Sequence, residues 1–171
     1  MMYCRDQSYH RGSMQTSLID LAPAAPVSST SEDDEHHSGK GSAHPRRLRL
    51  MIVEDDALAS MNLEAILEDL GHQICDVAAT ASEAVRMAEQ HRPELILMDI
   101  RLARGSSGID AARTIRDSLD IPSIFVTAHD DAATIGQAMA ARPLGFVTKP
   151  YTSREIAAAL AEALSSPHGL C

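Results

Sequence analysis

From Leu48 onward, short apolar runs alternate with stretches whose apolar positions recur every three or four residues. Compact apolar runs read as buried strands and a 3.6-residue period reads as amphipathic helix, so the alternation predicts repeated βα units around a parallel sheet. The first strand, 48–53, runs into Glu54, Asp55 and Asp56, and the helix after it, stopped by Gly71, carries Ala59, Leu63, Ile66 and Leu70 on one face. A weaker strand near 74–78 leads to a helix over 82–90, whose start reads as a capping box of Thr80 with Glu83. The wholly apolar strand 95–98 delivers Asp99. Gly105, Ser106, Ser107 and Gly108 then form a loop before a helix running through Ile115. Pro122 opens a fourth strand, 123–126, which ends at Thr127, and a helix follows over 132–141. The fifth strand, 145–148, ends at Lys149 and Pro150, and the last helix opens on a second capping box, Thr152 with Glu155, and packs Ile156, Leu160 and Leu164.

Residues 1–47 show no sustained period and are rich in Ser, Pro, Gly and His, which predicts a disordered N-terminal extension before one domain over 48–166 and a short tail, 167–171. His36, His37 and His44 lack regular ligand spacing and read as a solvated tail rather than a metal site. Arg46, Arg47 and Arg49 read as a linker end.

Charge sharpens this division. The chain carries 15 basic and 24 acidic residues, a net of −9, and only −1 of that falls within 1–47. An acidic domain argues against binding a phosphate backbone, and 3% aromatic residues with no Trp argue against a base-stacking surface. No stretch approaches the roughly 18–20 apolar residues of a membrane span. The nearest approach to a secretory signal, 18–27, is broken by Asp20, Pro23 and Pro26. Cys4, Cys75 and Cys171 lie far apart without a C-x-x-C pair, which argues against a disulfide framework or zinc site and for a cytoplasmic setting. Cys75 reads as a small core hydrophobe.

In an open parallel sheet, ligands bind beyond the carboxyl ends of the strands. Those ends here are Glu54, Asp55 and Asp56, then Asp99, Thr127 and Lys149. No Gly-rich loop follows the first strand, which excludes a dinucleotide fingerprint or a P-loop. Crowded carboxylates repel, and either protonation of one or a bound divalent cation relieves them. Oxygen-only ligands favour Mg²⁺. An aspartate beside such an ion can attack phosphorus, with a lysine neutralising phosphoryl oxygens and a threonine hydroxyl donating to one. Asp56 reads as the N-cap of the first helix rather than a ligand.

The segments LMIVEDD at 50–56, LILMDIRL at 95–102, IFVTA at 124–128 and GFVTKP at 145–150 together resemble the receiver domain of two-component response regulators. The resemblance implies a flavodoxin-like, doubly wound α/β fold, a five-stranded parallel sheet in the order 2-1-3-4-5 with five helices. It implies Asp99 as phosphoacceptor from a histidine kinase or phosphotransfer protein, with Mg²⁺ on Asp55, Asp99 and the Arg101 carbonyl and with Glu54 acting mainly through water. Thr127 and Phe146 look like the family's switch pair, and the Lys149–Pro150 peptide is expected cis. Arg101, Ala128 and His129 occupy positions at or beside those that modulate phosphate lifetime in the family. The segment 99–108 departs from the common pattern: it lacks the usual Pro and is one residue longer.

With only seven residues after Leu164, the expectation is a stand-alone, single-domain regulator without a DNA-binding domain. Its output would be another protein, contacted through the fourth helix, fifth strand and fifth helix, where Ile135, Met139 and the Ala-rich run 157–163 lie. The same face is a candidate homodimer surface. The alternative is a phosphate sink that drains a shared kinase without an effector. A freestanding aspartate-nucleophile phosphatase would typically carry a second Asp at position 101, where this chain has Arg101, so the expectation is a phosphoacceptor signalling protein rather than an enzyme.

Overall fold

A computed structural model describes residues 46–128 and 131–166. The expected extension (Arg46 and Arg47 aside), its histidines, and the tail 167–171 lie outside the described residues. The elements follow the βα alternation: β1 (Arg49–Val53), α1 (Ala57–Asp69), β2 (Gln73–Ala78), α2 (Ala81–His91), β3 (Leu95–Met98), α3 (Gly108–Leu119), β4 (Ser123–Thr127), α4 (Ala132–Ala138), β5 (Gly145–Thr148) and α5 (Ser153–Ser165). The strands form one parallel sheet in the order β2-β1-β3-β4-β5, the flavodoxin-like arrangement.

Because successive strand residues point to opposite faces, one sheet feeds two cores. Met51, Val53, Ile96, Met98 and Phe125 pack with Ala84, Ala88, Ala111, Ala112 and Ile115 of α2 and α3. Leu50, Ile52, Leu95, Leu97, Ile124 and Val126 pack with Leu63 and Leu67 of α1 and Ile156, Leu160 and Ala163 of α5. β3 is buried at every position, as a central strand covered on both faces must be. Each such Leu or Ile removed from water contributes about 1.5–3 kcal/mol.

Local signals set most element ends. The Asp56 side chain accepts the N–H groups of Leu58 and Ala59, so this residue is the N-cap of α1 as its type predicts. Thr152 and Glu155 form a complete capping box on α5. The Thr80 box is only half formed: its hydroxyl accepts Glu83 N–H, but the Glu83 carboxylate accepts the N–H of Ala79 instead. Arg46 pairs with Glu94, and the Arg49 guanidinium donates to the His91 carbonyl, so both serve local structure.

Several expected details shift. The buried face of α1 is Ser60, Leu63 and Leu67, whereas Ala59, Ile66 and Leu70 are only half-buried. α3 starts at Gly108 and runs four residues past Ile115, to Leu119. The fourth helix ends as α at Ala138 and tightens into a 3₁₀ turn over Met139–Ala141. On α5, Ala163 rather than Leu164 completes the buried stripe. Cys75 is half-buried at a register shift between β1 and β2.

Candidate functional site

Backbone pairing continues one residue past the strands and aligns their ends. Glu54 N–H donates to Ala78 O at 2.9 Å, Asp99 N–H to Val53 O at 2.8 Å, and Lys149 N–H to Thr127 O at 2.9 Å. These bonds set the polar residues that follow β1, β3 and β5 along one edge of the sheet. Carboxylate oxygens of Glu54, Asp55 and Asp99 all lie within 4.8 Å of one another. Glu54 and Asp99 are buried, while Asp55 is exposed. At such separations each pair of like charges costs on the order of 1–3 kcal/mol.

Lys149 offsets part of that repulsion. Its Nζ donates to Glu54 Oε2 at 2.5 Å and to Asp99 Oδ2 at 2.6 Å. Burial alone would lower the pKa of this ammonium, but the bonds to Asp99 and Glu54 outweigh it and hold the pKa above the usual range. For Glu54 the balance runs the other way: burial pushes its carboxyl up more than Lys149 pulls it down. The donor set contains only oxygens and is open at Asp55, which fits a small hard divalent cation.

Thr127 closes β4 at 2% exposure, and Ala128 after it is exposed. His129 lies outside the described residues. Phe146 is half-buried and stacks on Phe125, its register partner, with ring centroids 5.6 Å apart. The Lys149–Pro150 peptide is cis, as expected. The Arg101 backbone N–H donates to Asp99 Oδ1 at 3.3 Å, and the residue is exposed.

Two features of the site were not singled out in the sequence. A Cβ on Gly108 would stand 1.8 Å from the Asp99 carbonyl oxygen, so only glycine lets α3 start against the Asp99 backbone. The signal was there, in the Gly/Ser-rich loop, but spacing does not say which glycine meets Asp99. The other is a pair of outward apolar side chains on the first turns of α1, Leu58 at 79% and Met61 at 64% exposure. They lie three and six positions after Asp55.

The family model described as the response regulator receiver domain matches residues 50–161. This chain belongs to that receiver family. Its setting is therefore two-component signalling. The chain is 38% identical over 128 residues to the phyllosphere-induced regulator PhyR of Methylorubrum extorquens, a match covering 74% of this chain and 47% of that protein. Among solved structures, the PhyR response regulator REC domain of Erythrobacter litoralis superposes with a TM-score of 0.62 at 38% identity, covering 71% of this chain and 95% of that one. The anti-anti-sigma factor PhyR of Bartonella quintana does so with a TM-score of 0.58 at 38% identity, covering 70% and 48%. The chain spans about half the length of the curated relatives it matches. Among the described residues, no helix is long and apolar enough to cross a membrane.

Proposed function

We propose that this receiver domain takes a phosphoryl group onto Asp99 from the phosphohistidine of a sensor histidine kinase or phosphotransfer protein, in the cytoplasm. The observation that carries the reading is the convergence of Glu54, Asp55 and Asp99 within 4.8 Å, with the Lys149 ammonium already on two of them. An Asp99 oxygen attacks phosphorus, a P–O bond forms as the P–N bond breaks, and the electron pair returns to the imidazole nitrogen, which takes a proton from solvent. Mg²⁺ held by Asp55, Asp99 and the Arg101 carbonyl, with Glu54 nearby, would supply charge neutralisation for the phosphoryl oxygens. Lys149 moves its charge from the carboxylate to the incoming phosphoryl group, and the Thr127 hydroxyl donates to another of its oxygens. Exposed Arg101 and the residues after Thr127, Ala128 and His129, tune how long the acyl phosphate survives.

The domain's output is a change in the α4–β5–α5 face that controls a protein partner. Phe146 connects the site to that face, since it stacks on Phe125 in the core and also lines a groove with Ala158 and Ala159 of α5. The relative that is named an anti-anti-sigma factor fits an output through protein contact. Labelling with a phosphorylated kinase tests the assignment: wild type should become an acid-stable, base-labile phosphoprotein and Asp99→Asn should not. Surviving label in that variant would overturn it, and turnover without phosphorylation-dependent partner binding would point to a phosphate sink.

A further inference from the structure

We infer that Ser106 is a positioning residue for the cation site. Its hydroxyl latches the β3–α3 loop to the first turn of α2 and so fixes the backbone that touches Asp99. The inference rests on the reading of Glu54, Asp55 and Asp99 as a Mg²⁺ site.

The loop meets the phosphoacceptor at both of its ends. On one side Arg101 N–H donates to Asp99 Oδ1 at 3.3 Å; on the other, Gly108 N–H donates to Ile100 O at 2.8 Å while its Cα packs on the Asp99 carbonyl. Between them the chain folds back on itself, with Arg101 and Ser107 forming an antiparallel bridge and Leu102 N–H donating to Ser106 O at 3.1 Å. A small hairpin therefore stands directly on Asp99, and the expected metal-binding carbonyl, that of Arg101, belongs to it.

Its tip holds Arg104 at φ 59, left-handed backbone that a non-glycine residue keeps only where its surroundings over-determine it. Two residues further on, the loop is tied to α2. Ser106 Oγ donates to Ala103 O at 2.8 Å within the loop and accepts Ala81 N–H at 3.3 Å, 25 positions earlier. Ala81 is the first residue of α2, and its amide is one that the helix itself leaves without a partner.

The test is Mg²⁺ titration of the full chain by calorimetry, with circular dichroism to confirm folding. Ser106→Ala should weaken Mg²⁺ binding about tenfold, as loss of an outer support to a metal ligand typically does. Ser106→Thr, which keeps the hydroxyl in an extended backbone, should stay within about twofold. Ala81→Pro removes the partner N–H from the α2 side and sets a ring carbon against Ser106 Oγ, so the latch cannot form; proline suits the first helical position, and Thr80 before it is extended at φ −135, ψ 157. It should reproduce the Ser106→Ala loss, and the double variant should be no weaker than either single one. Unchanged affinity in Ser106→Ala, with or without a lower melting temperature, would overturn the inference, as would losses that add in the double variant. The underlying site reading fails separately: wild type would not bind Mg²⁺, or Asp55→Asn would bind it as well as wild type.

Discussion

Lys149 Nζ donates to Asp99 Oδ2 at 2.6 Å across 50 positions of sequence. The ammonium occupies the space where positive charge is needed whenever Asp99 is ionised, and it shares itself with Glu54. Lys149 is thus a counter-ion of the acidic cluster.

Lys149→Gln should destabilise the metal-free domain by about 1–3 kcal/mol, because two buried carboxylates lose their charged partner. Millimolar Mg²⁺ should then raise the melting temperature more in the variant than in wild type. Thermal unfolding with and without Mg²⁺ reads both, and equal responses would count against Lys149 as counter-ion.

Gly108→Ala puts a methyl carbon 1.8 Å from the Asp99 carbonyl oxygen, backbone that has no rotamer to yield. The cost should be about 2 kcal/mol or more in urea unfolding, above the usual range for surface changes. Asp99 must shift to make room, so the proposed phosphorylation there should slow as well.

Capping groups set a pH dependence. The Glu155 carboxyl is held below its usual range first by the Thr152 N–H, then by the Thr152 hydroxyl. A depressed folded pKa gives stability that is present above the unfolded value of 4.5 and lost as pH falls through the lower, folded one. Urea midpoints measured from neutral pH down to pH 3 should fall in wild type and fall less steeply in Glu155→Gln. Thr152→Ala should cost about 1 kcal/mol at neutral pH.

Leu58 and Met61, three and six positions after Asp55, are exposed large apolar side chains on α1 and a candidate docking patch for the proposed phosphodonor protein. Replacing both with Ser should change stability by no more than about 0.5 kcal/mol, since neither packs inside. Phosphotransfer from the cognate kinase should slow, with phosphorylation by a small acyl phosphate unaffected. Equal slowing of both would place the effect in the active site rather than in docking.

The receiver fold was legible because its signals are local: apolar runs of strand length, helical spacing between them, and polar residues at strand ends. α1 shows where such signals blur. Leu58, Met61, Leu63, Ile66, Leu67 and Leu70 spread around the helix, so spacing alone does not choose the buried face, and Leu67 rather than Ile66 faces the sheet. The Thr80 box misled for a similar reason, because Glu83 has two backbone amides within reach and takes that of Ala79.

By itself, then, the sequence determined which residue types stand at each strand end and in what order, since a strand's end and the side chain after it depend on near neighbours. Only the tertiary structure decided that Lys149 bridges Glu54 and Asp99, that Gly108 lies against the Asp99 carbonyl, and that Ser106 reaches Ala81. The Lys149 and Ser106 contacts join residues 25–95 positions apart, and the Gly108 contact depends on how α3 docks on the sheet. Distances of that kind are fixed by how the helices and loops pack, which no local pattern encodes.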